Sequence, residues 1–304
     1  SREKYMWKIE SQRYDQLVWQ CKEENKLKSE LLDKMNITVR MLCSIKKEKS
    51  VTVNGKYVPM HTMVCGTDII KIELPHESNE YEAQQMGIEV LYEDFDLLVV
   101  EKPFGMVVHP TRNHLENTML NALKYYFDEN GIKSKVRFVN RLDRDTSGIL
   151  IVAKNAYAHS VLTKDTSMWE MHKKYIAVVE GKLDESGTIR LPIIKSEDGI
   201  RRTVDENGQE CVTHYRTIKS NERASFVELE LETGRTHQIR VHMSAMGHPI
   251  FGDELYGGNL DLIERQALHC IELGFYSPRL EKEIRVKTKL HDDITELLMK
   301  LGLN

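Results

Sequence analysis

Asn140-Arg141-Leu142-Asp143-Arg144-Asp145-Thr146-Ser147-Gly148-Ile149-Leu150-Ile151-Val152-Ala153 sets four charges, a Thr-Ser pair and a glycine directly ahead of an unbroken apolar run. The apolar half reads as a buried strand. The polar half is then a loop held by that strand yet reachable by a ligand. The same residues also make an ordinary charged turn capped by Thr146 and Ser147. Composition alone leaves these two readings level.

Working outward, strands are expected at residues 88–92, 97–101, 175–180, 212–218, 226–231, 268–275 and 284–290, besides 149–153. Helices are expected at 116–127, 156–171, 236–246 and 292–301. Strands outnumber helices and do not alternate with them. That predicts an α+β fold with a mainly antiparallel mixed sheet over residues 87–304, not a doubly wound parallel sheet. Residues 76–86 are polar and acidic and read as a linker. Residues 1–75 form a smaller α/β unit. It has helical spacing at Leu27, Leu31 and Leu32, and a second helix capped by Thr38 that turns Val39, Leu42 and Ile45 inward. An Asn54-Gly55 turn and a strand with Ile70, Ile72 and Leu74 on one face complete it. Residues 1–25 fit no element.

Three further clusters carry chemistry. In Thr233-Gly-Arg-Thr-His-Gln-Ile-Arg-Val-His242, Gly234 follows an alternating strand and Thr236 can cap a helix, so Arg235 sits where a strand gives way to that helix. His237 and His242 are five apart and share no helix face, so they match no zinc motif. In Lys173-Lys-Tyr175-Ile-Ala-Val-Val179, alternation sends Tyr175, Ala177 and Val179 to one face. A core strand holding a partly buried tyrosine explains that stretch equally well. Val99-Val-Glu-Lys102-Pro-Phe-Gly105 is a strand ending in a turn, with Lys102 either a solvated strand end or a phosphate contact.

The chain lacks a P-loop, a dinucleotide fingerprint, a nucleophile elbow, H-E-x-x-H and the deaminase zinc signature. The five cysteines (Cys21, Cys43, Cys65, Cys211, Cys270) are scattered without a C-x-x-C pair, which suits a reducing cytosol. No run of about 20 apolar residues is present to span a bilayer, and Ser1–Glu10 is too polar for a signal peptide. A cytoplasmic location and no membrane contact are expected. The formal net charge of −4 does not advertise a nucleic-acid binder, although local distribution outweighs the total.

Taken in order, Arg141-Leu-Asp-Arg-Asp-Thr-Ser-Gly148, Gly234-Arg-Thr-His-Gln-Ile-Arg-Val-His242 and Gly247-His-Pro-Ile-Phe-Gly-Asp253 resemble the RluA/RluD family of RNA pseudouridine synthases over about residues 88–304. Lys102-Pro-Phe-Gly105, Tyr175 and Leu268-His-Cys270 add to the likeness. The resemblance implies isomerisation of uridine to pseudouridine in structured RNA, ribosomal more than transfer RNA. It makes Asp143 the catalytic carboxylate and Tyr175 a stacking platform. Arg235 is its partner for Asp143, and Arg141 approaches the flipped-out nucleotide. Lys102, His237, Gln238 and Arg240 complete the implied substrate contacts. Two positions depart from the family: Asn140 stands where His is common, and Glu101 where Asn is usual. Residues 27–74 resemble the alpha-L RNA-binding motif, which implies RNA contacts by Arg40, Lys46 and Lys47. Deletion of residues 1–75 should then weaken RNA binding more than folding.

The chemistry fits those residues. Isomerisation breaks the bond from the sugar to base N1 and makes one to C5, so no redox or group-carrying cofactor and no metal are expected. An ionised aspartate can stabilise or capture the charge that develops on the sugar. An N-glycosidase would use the same carboxylate but release free uracil, and a non-catalytic RNA-binding protein would need no such set. RNA is the expected partner of a monomer.

Overall fold

The computed structural model describes residues 6–164 and 171–304. From the N-terminus the elements are β1 (Gln16–Gln20), β2 (Asn25–Lys26) and a short turn α1 (Leu27–Ser29) that widens into a π-type turn (Glu30–Lys34). Then come α2 (Val39–Glu48), β3 (Val51–Val53), β4 (Met63–Val64) and β5 (Ile69–Glu73). The Thr38 hydroxyl accepts the Met41 amide at 3.1 Å and so caps α2. Leu42 and Ile45 are buried, as their spacing predicted, but Val39, expected to face inward with them, is exposed in the first helical turn. Asn54 and Gly55 both take positive φ, 50° and 86°, the requirement of a tight primed hairpin turn. Residues the sequence left unassigned supply β1, which pairs antiparallel with β5. Trp7 packs edge-on to Trp19 beneath it, with ring centroids 4.8 Å apart.

The larger unit continues with β6 (Glu89–Glu93), β7 (Leu97–Lys102), α3 (Met119–Glu129), β8 (Arg137–Phe138), β9 (Ser147–Ala153) and α4 (Ala156–Leu162). Next are β10 (His172–Glu180), β11 (Ser186–Ile189), β12 (Ile193–Lys195), β13 (Arg202–Val204), β14 (Thr213–Ser220), β15 (Ala224–Leu231) and α5 (Gln238–Ala245). It closes with β16 (Leu268–Tyr276), β17 (Glu283–Lys287) and α6 (Asp292–Lys300). The main sheet runs β11-β14-β15-β10-β16-β9-β7-β6, with β17 on β16 and β8 on β9. Its one parallel pairing joins β9 to β16, Ser147 opposite His269 and Gly148 opposite Cys270. The α+β class and the mainly antiparallel mixed sheet therefore hold.

Alternation explains the unbroken apolar runs Leu97–Val100 of β7 and Ile149–Ala153 of β9. Leu97, Val99, Ile149 and Ile151 enter one core; Leu98, Val100, Leu150 and Val152 enter another, against α3. Helix bounds shift where a better cap wins. The third helix starts at Met119, three residues late, because Thr118 and Asn121 form a reciprocal capping box. The helix expected over 156–171 ends at Leu162, and residues 165–170 lie outside the described residues. Among the described residues no helix is long and apolar enough to cross a membrane.

The N-terminal unit does not hang on a free tether. Tyr157 and Val161 of α4 belong to the same buried cluster as Leu27, Leu31, Met35, Leu42 and Ile45. The Tyr157 hydroxyl donates to the Met35 carbonyl at 2.7 Å. Arg279 is fully buried, pairs with buried Asp96, and donates to the carbonyls of Gln16 at 2.8 Å and Arg13 at 3.1 Å. The segment read as a linker has no regular structure but acts as a strap. Glu77 takes both terminal nitrogens of Arg137, at 2.7 and 2.8 Å, and the Gln84 amide bonds the Asn121 carbonyl at 3.0 Å.

This shared core means that removing residues 1–75 would carry a cost in folding as well as in any RNA binding. Deleting residues 1–75 would uncover Tyr157 and Val161 and leave Arg279 without its chain-crossing acceptors. Loss of partners around such a buried charge costs about 3 kcal/mol or more, roughly 6–12 °C of Tm for a domain of this size. Calorimetry should show that drop, whereas an unchanged Tm would show a self-standing unit.

Candidate active site

The loop ahead of β9 is pinned at every turn. Asn140 imitates a strand partner: its Nδ2 donates to the Ile149 carbonyl (3.0 Å) and its Oδ1 accepts the Ile151 amide (2.7 Å). Leu142 is buried, and the Thr146 amide closes a turn on the Asp143 carbonyl at 3.0 Å. The Arg144 carbonyl accepts from both the Gly105 amide and Lys102 Nζ, each at 2.8 Å. Gly148 has φ +126°, and a Cβ there would collide with the Cys270 backbone on β16. Glycine is therefore what lets β9 and β16 run side by side. The outcome is that Asp143, its side chain 31% exposed, lines a cleft of about 340 Å3 together with Arg141, Lys173, Tyr175, Arg235 and Arg240.

Arg240, on α5, is the guanidinium that meets Asp143. Its Nη1 donates to Asp143 Oδ2 at 3.1 Å, while its Nε and Nη2 grip both oxygens of Asp253 at 2.9 Å. Asp253 is fully buried, and the Tyr256 ring lies 5.0 Å from the Arg240 guanidinium carbon. A fork engaged on both edges leaves little rotational freedom, so Asp143 is held by a group that is itself fixed. His237, one helical turn before Arg240, brings Nε2 to 3.9 Å from Asp143 and shares a 2.6 Å hydrogen bond between Nδ1 and the Tyr256 hydroxyl. Burial lowers the His237 pKa, with the Asp143 carboxylate pulling the other way.

A family model described as RNA pseudouridylate synthase matches residues 96–245. The uncharacterized RNA pseudouridine synthase YjbO of Bacillus subtilis (strain 168) is 37% identical, over 88% of this chain and 97% of that protein. Ribosomal large subunit pseudouridine synthase D of Xylella fastidiosa is 35% identical over 84% of this chain and 82% of its own length. The chain belongs to the RluA/RluD family of RNA pseudouridine synthases. Among solved structures, human RNA pseudouridylate synthase domain containing 1 superposes with a TM-score of 0.55 at 27% identity. It covers 73% of this chain and 97% of that one. As a pseudouridine synthase, the protein isomerises uridine in RNA.

Of the residues read from the sequence as substrate contacts, Arg235 and Gln238 line the cleft with other partners, and Lys102 lies outside it. Arg235 lines the cleft but does not pair with Asp143; its Nε reaches the Glu210 carbonyl at 3.3 Å. The reason is local. The helix begins at Gln238, not Thr236, because His237 adopts a left-handed conformation (φ 57°). Arg235 is thereby left outside the helix and Arg240 is turned inward. Gln238 is buried and spends its amide on structure: Nε2 donates to Val212 O and Thr213 Oγ1, and Oε1 accepts from Thr233 Oγ1 and the Arg235 amide. Lys102 is neither solvated nor in the cleft. It is fully buried, and its ammonium donates to the carbonyls of Pro103 (2.7 Å), Met106 (2.9 Å) and Arg144 (2.8 Å). Burial pulls its pKa down to about 7, against the attraction of Asp145 and Asp143. Three acceptors match the three N–H groups of the protonated form.

Arg141 and Tyr175 are where the sequence implied, both lining the cleft. Tyr175 faces Cys270 and Leu229 across its two neighbouring strands. Burial holds its phenol protonated, well above the ordinary range. Arg40, Lys46 and Lys47 are exposed on α2, with Arg40 and Lys47 two turns apart on one face. Three residues were missed. Lys173 lines the cleft with a pKa lowered by burial, and its place two before Tyr175 on an alternating strand was the available signal. Asp253 and Tyr256 gave only the Gly-Asp that ends a quoted motif, since their roles arise from long-range contacts.

Two variants separate the arginines. Arg240→Met leaves Asp253 buried and unpaired and should cost about 3–5 kcal/mol together with pseudouridine formation. Arg235→Ala should stay within about 0.5 kcal/mol of the parent and affect RNA affinity instead. Urea denaturation alongside tritium release from RNA labelled at uridine C5 reads both; equal stability loss in the two would reject the assignment.

Lys102→Met tests the carbonyl cage. Stranding buried acceptors should destabilise by about 1–3 kcal/mol or more and lower kcat while RNA affinity stays near that of the parent. A pure affinity loss would return Lys102 to the role of a phosphate contact.

Proposed function

We propose that Asp143 is the catalytic carboxylate and that the substrate is a uridine extruded from large-subunit ribosomal RNA. The observation that carries this reading is the Asp143–Arg240 contact, itself anchored on buried Asp253. Isomerisation weakens the glycosidic bond, and positive charge grows on the sugar. A fixed carboxylate stabilises or captures that centre, the base turns to present C5, and the C5 proton leaves after the new carbon–carbon bond forms. The neighbouring guanidinium of Arg240 holds that carboxylate in place. Unstacking the uridine costs a few kcal/mol, and stacking on Tyr175, worth roughly 1–3 kcal/mol, offsets part of it.

RNA is held by backbone charge. Arg141, Lys173 and Arg235 at the cleft provide it near the reacting base. The proposal gives Arg40, Lys46 and Lys47 the same task at a distance, in an N-terminal RNA-binding unit of the alpha-L type. Ribosomal RNA is favoured because relatives named ribosomal large subunit pseudouridine synthase D align over most of the chain, the Zymomonas mobilis protein being 38% identical over 76% of it. The enzyme would act as a monomer in the cytosol, a reducing setting that suits five unpaired cysteines.

Pseudouridine mapping in cells tests enzyme and substrate together. Deleting the gene should erase pseudouridine at one or a few positions of large-subunit ribosomal RNA, and the wild-type gene should restore it. Asp143→Asn should bind RNA and keep its Tm but restore nothing. Restoration by Asp143→Asn would remove that residue from the central role, and loss confined to transfer RNA would reassign the substrate.

A further inference from the structure

Behind the catalytic loop, on the side away from the cleft, three ligand-type side chains converge from three elements. They are Glu101 near the end of β7, His269 in β16 and His291 at the N-cap of α6. One ligand atom of each lies within 4.8 Å of the others. His291 Nε2 is in contact with the Glu101 carboxylate. His269 is fully buried, and its Nε2 has no hydrogen-bond partner. An orphaned imidazole nitrogen in the interior costs free energy and calls for an explanation.

The geometry points to a divalent transition-metal site formed by Glu101, His269 and His291, with zinc the ion whose chemistry fits best. Two imidazoles and a carboxylate form a borderline donor set that suits zinc and leaves a fourth position open. Ligand atoms around a tetrahedral zinc with bonds of about 2.0–2.1 Å stand roughly 3.3 Å apart. Binding therefore asks the imidazoles to close in slightly and Glu101 and His291 to part. The outer partners are already set. His269 Nδ1 lies 2.7 Å from the Ser147 hydroxyl. Metal binding would take the tautomer in which Nδ1 donates to that oxygen and Nε2 carries the lone pair.

Glu89 on β6 shares a hydrogen bond with Glu101, and that contact raises the Glu89 pKa. A divalent cation would relieve the crowding of these two carboxylates. Thr288, Lys289 and Arg265 also face the cluster: the Lys289 backbone is within reach of the His269 ring, the Lys289 cation acts on Glu89, and Arg265 acts on His269 while committed to Asp293 at 2.7 Å.

Such an ion would position groups, not react with RNA. Glu101 adjoins Lys102, which grips the Arg144 carbonyl, and His269 touches Ser147 at the other end of the same loop. Metal binding would staple β7, β16 and α6 behind Asp143.

The full chain, stripped with chelator and titrated with Co2+, should show the intense visible bands of a low-symmetry site at one equivalent, displaced by Zn2+. Zn2+ should raise Tm and chelator reverse the rise. Glu101→Gln and His291→Ala should each weaken Co2+ binding at least roughly tenfold while retaining the parent fold by circular dichroism. These variants avoid His269, whose replacement opens a cavity in the core. A cobalt spectrum unchanged from the aqueous ion, a Tm indifferent to Zn2+, or binding undiminished in both variants would overturn the site.

Discussion

One guanidinium holds two carboxylates, and the active cleft is organised around it. Asp253 is fully buried, a position that an anion tolerates only with a partner of matching geometry. Arg240 supplies that partner through two parallel hydrogen bonds, and its remaining terminal nitrogen is then aimed at Asp143. The orientation of the half-exposed carboxylate is thus inherited from a buried pair. Lysine could not do this, having a compact point charge and no fork. The desolvation cost of the buried pair is set against a cleft wall that needs no rearrangement when substrate arrives.

The loop that carries Asp143 is fixed from the other side by the same logic of unavoidable satisfaction. The carbonyls of Pro103, Met106 and Arg144 converge on one buried donor, the Lys102 ammonium. Asn140 answers two more groups on β9. Because Gly148 permits close approach to β16, the loop sits over strands that are buried on both faces. The charged residues that drew attention in the sequence are therefore of two kinds. Asp143 and Arg141 face the cleft, whereas Lys102 and Gln238 face inward and hold the cleft together.

That division marks where sequence reading succeeds and where it stops. Strands β7 and β9 were legible because apolar alternation has a local period, and α2 because Thr38 is a local cap. The caps of α3 and α5 were misplaced by two or three residues because Thr118–Asn121 and the left-handed His237 compete with equally plausible neighbours. The consequence was large at one place only. Starting α5 at Thr236 favoured Arg235 as the partner of Asp143, and the true start at Gln238 selects Arg240 from the same quoted motif. Asp253, Lys173 and the inward course of Lys102 depend on contacts between segments tens of residues apart. No spacing rule encodes those contacts. The polar composition of residues 76–86 reads as a linker, and Glu77 and Gln84 spend that polarity on the larger unit.

The same long-range packing bears on how a chain with a formal charge of −4 engages a polyanion. Screening confines electrostatic attraction to about 8–10 Å in physiological salt, so the net charge matters less than what lies within that radius of each phosphate. At the cleft, Arg141, Lys173, Arg235 and Arg240 surround a single exposed carboxylate. On α2, Arg40, Lys46 and Lys47 form a second basic patch. Acidic residues elsewhere repel the backbone and leave those two places as the favourable ones. Because Tyr157 and Arg279 bind the N-terminal unit to the body of the enzyme, the two patches keep a fixed separation. An RNA that satisfies both must present phosphates at that spacing with a uridine free to leave its stack between them. On the proposed RNA contacts, rigidity between the units would turn sequence-independent charge contacts into selection for a particular RNA shape.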